Sequence, residues 1–136
     1  MAESEQVIVL CHGTFDVLHV GHIWHLRAAR AMGDRLVVSL TADAFRRKPG
    51  HRKFNQDERA DHLRELRCVD DVYICNGETA ARAIVHYRPR FFVKGIDYRE
   101  RGIAAIEQAT CLYVGARVVY TDTKKYGSGS LVEHVR

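Results

Sequence analysis

"QVIVLCHGTFDVLHVGHIWHLRAARAMG", residues 6–33, decides how this chain folds. Residues 6–11 form a short apolar run, rich in branched side chains, that breaks at once into a glycine turn; this is the pattern of a buried strand rather than a helix. From His19 the period changes. Val20, Ile23, Trp24, Ala28 and Ala31 recur at helical spacing, Arg27 and Arg30 take the other side, and Gly33 offers a stop. A glycine loop therefore joins a buried strand to an amphipathic helix.

The alternation continues outward from there. Residues 35–41 ("RLVVSLT") read as a second buried strand, and Asn55 with Glu58 three residues on makes a capping box for a helix through Ala60, Leu63 and Leu66. A strand at 71–75, a helix over 78–87 ended by Pro89, and a strand at 90–94 follow. A helix over 102–114 with Gly115 as its stop, a last strand at 116–121 and a short helix after Ser128 complete the reading. Five strands alternating with helices imply an α/β fold: a parallel sheet covered on both faces, with right-handed crossovers. The length suits one domain over residues 1–136.

Composition narrows the function. A net charge of +4 and a pI near 9.0 suit an anionic partner, but 17 acidic residues are interspersed among 21 basic ones, so phosphorylated small molecules fit as well as nucleic acid. No apolar run is long enough for a membrane span, and "MAESEQ" does not resemble a signal sequence, so a cytoplasmic protein with no membrane partner is expected. Cys11, Cys68, Cys75 and Cys111 lie in or beside apolar segments without C-x-x-C spacing, which predicts free thiols and no zinc.

The loop "GTFDVLHVGH" (Gly13 to His22) has the makings of a phosphate site. A glycine-containing turn between strand and helix brings backbone N–H groups and the positive end of the helix dipole to the carboxyl edge of the sheet. Gly13 allows close backbone approach, His19 and His22 lie three residues apart near the helix start, and Gly21 leaves room between them. Neither the G-K-[ST] of a Walker loop nor G-x-G-x-x-G is present.

This stretch resembles the signature of the cytidylyltransferase-like nucleotidyltransferases, G-x-F-D-x-x-H-x-G-H, at every fixed position. Val17-Leu18 resembles the branch acting on glycerol phosphate, phosphocholine and heptose phosphate. "VKGIDY" (Val93 to Tyr98) and "FNQDERADHLRELRCVDDVYI" are similar to segments of the heptose-1-phosphate nucleotidyltransferase domain, and the likeness extends over residues 7–132. The resemblance implies a Rossmann-like, doubly wound sheet of order 3-2-1-4-5. The order would reverse between strands one and four, where ligands of open parallel sheets bind, and both matching loops follow those strands.

The reaction so implied is attack by a substrate phosphate oxygen on the α-phosphorus of a nucleoside triphosphate, ATP or CTP, with release of pyrophosphate. Catalysis would come from alignment and charge neutralisation. By resemblance, His19 and His22 contact the triphosphate, the backbone of Thr14 and Phe15 helps hold it, and Asp16 either bonds the helix start or lies near magnesium. Lys48 in the basic loop "FRRKPGHRKF" is the candidate phosphate grip, with Arg46 and Arg47 as alternates. Arg59 is a candidate for the substrate phosphate. Asp97 would meet the nucleoside, positioned by Lys94 and Gly95.

Ser128 and Ser130 would bind phosphate at the terminal motif, where "YGSGS" departs from the family's run of hydroxyl residues and "DTKK" replaces the arginine of glycerol phosphate enzymes. His12 and His25 are expected to be structural, since H-x-x-H-x-x-H sweeps about 120° around a helix and no protein-held metal is expected. The acceptor is expected to be a phosphorylated sugar, heptose-like, or a polyol phosphate for surface polysaccharide. A glycerol phosphate cytidylyltransferase and a non-catalytic nucleotide-binding module are the alternatives. The resemblance further implies Mg2+ with the nucleotide, a homodimer and a separate sugar kinase. A nucleic-acid partner would rest only on the pI and the basic loop, and is not expected.

Overall fold

In the computed structural model, residues 5–46 and 54–122 are described. The chain runs β1 (Ile8–Gly13), α1 (Val20–Arg30), β2 (Arg35–Thr41), a 3-10 turn (Asp43–Phe45), α2 (Gln56–Arg64), β3 (Asp71–Cys75), α3 (Ala81–Tyr87), β4 (Phe91–Gly95), α4 (Tyr98–Arg101), α5 (Ala105–Val114) and β5 (Arg117–Thr121). All strand pairs are parallel and the order is β3-β2-β1-β4-β5, as the resemblance implied.

Alternation along the strands builds two cores. Val9, Cys11, Val38 and Val93 face Leu26 and Ala29 of α1 and Ala60 and Leu63 of α2. Their neighbours Leu10, Val37 and Phe92 face Ala83 and Ile84 of α3 and Cys111 of α5. Because β1 is buried on both faces, its continuous apolar run is explained. The sheet's reversal falls beside it, between β1 and β4.

Three helix boundaries differ from the sequence expectation. Gly33 is not a left-handed stop: a Cβ there would lie 2.6 Å from the Val7 carbonyl oxygen and 2.8 Å from Val9, so glycine is needed for close packing against the start of β1. The helix expected over 102–114 begins at Ala105, because Gly102 at φ 80° separates a short α4 from α5. α3 begins at Ala81 rather than 78; its N-cap, Ala80, has no side chain to bond the turn, and the Thr79 hydroxyl accepts the Ala81 N–H at 3.3 Å. Its first turn is served from α5, where the Glu107 carboxylate accepts the Ala80 N–H at 2.9 Å. Gly115, at φ 81°, ends α5 as expected. The helix expected after Ser128 lies outside the described residues.

Candidate active site

A cleft of about 1260 Å³ opens at the carboxyl edge of the sheet. The loop after β1 supplies Gly13 to Val17, His19, Gly21 and His22, while Gly95, Asp97 and Tyr98 enter from the end of β4 and the loop beyond it. The two motif segments thus meet at the reversal of strand order. A second concavity, about 700 Å³ at the amino edge near Ile8, Arg88 and Pro89, contains none of the candidate site residues.

The start of α1 is closed by two histidines. His19 is the N-cap, and its Nδ1 accepts the Gly21 N–H at 3.1 Å. The His19 N–H donates to His22 Nδ1 at 3.2 Å, completing a capping box in which imidazoles replace the usual hydroxyl and carboxylate. Gly21 is needed because a Cβ would stand 2.9 Å from the His19 ring; the room expected for a bound group is filled by that ring.

The capping bonds decide the tautomers. An Nδ1 that accepts carries no proton, so each ring bears its proton on Nε2 and offers one N–H donor. The rings lie side by side, with centroids 3.9 Å apart. Burial, reinforced by His19 and His25, lowers the pKa of His22 to about 4, which keeps it neutral. Phe15 supports its ring edge-on at 5.5 Å and holds a left-handed φ of 52° through burial in the core. The arrangement offers neutral N–H donors and the N-terminus of an eleven-residue helix to an anion.

The other two histidines are anchored elsewhere. His12 Nδ1 is 2.8 Å from Ser39 Oγ and its Nε2 3.4 Å from Thr41 Oγ1; burial, then Lys94, lowers its pKa to about 3. His25 Nδ1 lies 2.6 Å from Thr121 Oγ1 and its pKa falls to about 4, again chiefly by burial. Both also line the cleft. No group of three histidine, cysteine or carboxylate side chains able to hold a metal gathers among the described residues.

Three predicted residues form a bracket beneath the loop, of which Asp16 and Arg46 also line the cleft and Arg59 does not. Arg59 is fully buried: Nη1 donates to the Thr14 and Thr41 carbonyls at 2.9 and 2.7 Å, and Nη2 to Asp43 at 2.8 Å. It is therefore not placed to grip a substrate phosphate. Arg46, with its side chain only 6% exposed, bridges Asp16 at 3.1 Å and Asp43 at 2.9 Å. Asp16 also accepts the Phe54 N–H at 3.1 Å, so it ties the loop to the basic segment rather than capping α1. Burial pushes the Asp43 carboxyl up, but the Gln56 N–H and the two arginines outweigh it and hold the pKa below its ordinary value.

On the β4 side, Asp97 pairs with Arg101 at 3.5 Å, and Lys94 Nζ lies over the Tyr98 ring at 4.2 Å. Arg47, Lys48, Ser128 and Ser130 lie outside the described residues. Sequence reasoning missed Glu107, Thr41 and Thr79, all of which line the cleft. For Glu107 a signal existed: an acidic residue in phase with the apolar face of α5, beside Thr110 and Cys111.

Known proteins place this geometry in context. The profile described as cytidylyltransferase-like matches residues 10–134. The bifunctional protein HldE of Geobacter sulfurreducens is 41% identical over 103 residues, 74% of this chain and 21% of the relative. HldE of Geotalea uraniireducens is 36% identical over 132 residues, 95% of this chain and 27% of the relative. The chain thus spans about a quarter of the length of these curated relatives. A lipopolysaccharide core biosynthesis protein from Thermoplasma volcanium superposes with a TM-score of 0.74 at 25% identity, covering 87% of this chain and 98% of that one.

Proposed function

The chain belongs to the cytidylyltransferase-like family, and from that premise we propose that it transfers a nucleoside monophosphate from a nucleoside triphosphate to a sugar phosphate, heptose-like, with release of pyrophosphate. The observation that carries this reading is the two-histidine capping box at the start of α1, set at the reversal of a 3-2-1-4-5 sheet. There the fixed Nε2–H donors and the helix N-terminus meet an anion whose charge grows in the transition state.

In this mechanism an oxygen of the acceptor phosphate attacks the α-phosphorus in line, and the bond to the bridging oxygen breaks as pyrophosphate departs. His19 and His22 donate to phosphate oxygens and give up no proton. The Arg59 bracket holds the Thr14 and Thr41 carbonyls, and with them the loop, before any ligand arrives. A magnesium ion would be carried by the triphosphate and would neutralise its charge; Asp16, engaged by Arg46 and Phe54, would hold the loop rather than the ion. Lys48, Ser128 and Ser130 remain candidates for the phosphates.

The similarity to HldE and to the lipopolysaccharide core protein supports a sugar acceptor and a role in a surface polysaccharide precursor. In this reading ATP is the donor, a separate kinase is the source of the sugar phosphate, and a homodimer works in the cytoplasm. Glycerol phosphate with CTP is the second reading, since the Val17-Leu18 pair fits it as well as the heptose reading.

Pyrophosphate release, measured with ATP and with CTP against a panel of sugar and polyol phosphates, tests both. Turnover with ATP and a sugar 1-phosphate is the expected result. Turnover only with CTP and a polyol phosphate would move the assignment to the second reading. Nucleotide binding without pyrophosphate from any acceptor would make the protein a binding module.

A further inference from the structure

A basic and an acidic side chain line the cleft, both more than nine-tenths buried, and do not meet. Lys94 is 8% exposed and Glu107 6%. Among the described residues Lys94 Nζ has no hydrogen bond and no carboxylate within ion-pair distance; its neighbours are the rings of Tyr98 at 4.2 Å and Phe92 at 5.7 Å. Glu107 uses one oxygen, Oε2, to accept the Ala80 N–H, and Oε1 accepts nothing among those residues. The stems are buried while the charged tips open into the cleft, so a ligand entering it would meet both and could carry both complements.

Their side of the sheet is the one opposite α1, whose start carries His19 and His22. Leu10, Val37 and Phe92 pack with α3 and α5, so His12, Ser39 and Lys94, each two residues further along its strand, face that same side. The helix α1 packs on the opposite face. A triphosphate seated at the start of α1 lies on the other face, and while a nucleoside base offers Lys94 only neutral acceptors, a phosphate offers it a full opposite charge and the stronger, charge-assisted bond.

We propose that Lys94 and Glu107 form the acceptor half of the cleft, Lys94 receiving the phosphate of a phosphorylated polyhydroxy compound and Glu107 accepting one of its hydroxyls. The assignment rests on the transferase reading above and names the chemical class of the acceptor. It gives Lys94 a ligand of its own in place of the role of positioning Asp97.

The test is calorimetric titration of the full chain, as wild type, Lys94→Met and Glu107→Gln, with hexose and heptose 1-phosphates, inorganic phosphate and magnesium ATP or CTP. The wild type is expected to bind a sugar 1-phosphate. Lys94→Met should weaken that ligand and inorganic phosphate alike by about tenfold or more, as for loss of a charge-assisted bond. Glu107→Gln should weaken the sugar phosphate by about fivefold and leave inorganic phosphate unchanged. Nucleotide affinity should stay within about threefold in both.

Folding is controlled separately. The amide oxygen of Gln can still accept the Ala80 N–H, and Lys94→Met keeps the apolar stem while removing an ammonium that no carboxylate of the described residues pairs, so neither variant should melt below the wild type. Unchanged sugar phosphate affinity in both variants, a parallel loss of nucleotide, a lower melting temperature in Lys94→Met, or a wild type that binds no sugar phosphate would each overturn the subsite. Absence of pyrophosphate release by the wild type would instead overturn the transferase reading, and the binding comparison would still stand.

Discussion

Replacing His22 with asparagine separates the two jobs of its ring. The amide oxygen can stand in for Nδ1 and keep the bond to the His19 N–H, while the donor at Nε2 is lost. Melting should therefore stay near the wild type while pyrophosphate release falls by about 10²–10³-fold, the usual effect of deleting one oxyanion donor; turnover near the wild type would remove His22 from the chemistry. Arg59→Lys tests the bracket beneath the loop. One ammonium cannot reproduce a fork bonded to Thr14, Thr41 and Asp43, so urea unfolding should show a loss of about 3 kcal/mol. At this scale the sequence was only partly readable. The spacing of His19 and His22 showed that they would meet, but not that they would cap each other. Arg59, inside "QDERADHLR", reads as an exposed helical charge because its partners are 16, 18 and 45 residues away.

The elements obeyed local rules wherever local forces decide. β2 and β3 fall where the branched apolar runs fall, and the Asn55–Glu58 box opens α2 as its spacing predicts. The expectation failed where one element depends on another. α3 takes its cap from Glu107, and α4 exists between the β4 loop and the Gly102 break, features with no periodicity of their own. Gly33 belongs with these. Gly33→Ala would improve helix propensity next to α1, yet its methyl group would press on Val7 and Val9, so a loss of about 1–3 kcal/mol is expected by thermal or chemical denaturation. A stabilised variant would show that the junction relaxes freely and that the glycine serves only as a stop.

For the whole molecule, buried histidines couple stability to pH. His12, His22 and His25 all have folded pKa values below their ordinary 6.5, at about 3, 4 and 4. Below pH 6.5 the unfolded chain binds more protons than the folded one, so their contribution is complete above that value and is lost as pH falls toward 4 and then 3. Melting temperatures should decline over pH 6.5–4 and hold steady from 6.5 to 8; a flat acid limb would show that these rings titrate freely. Alternation of strands and helices displayed the fold class, whereas strand order came from resemblance, since periodicity cannot say which strands are neighbours. That order carries a consequence for synthesis on the ribosome. β1, β2 and β3 emerge first and can pair at once, but one side of β1 stays uncovered until β4 has been made. A nascent or truncated chain ending before residue 90 would present that edge to other chains, so the central strand that organises the finished sheet is also the template for its misassembly.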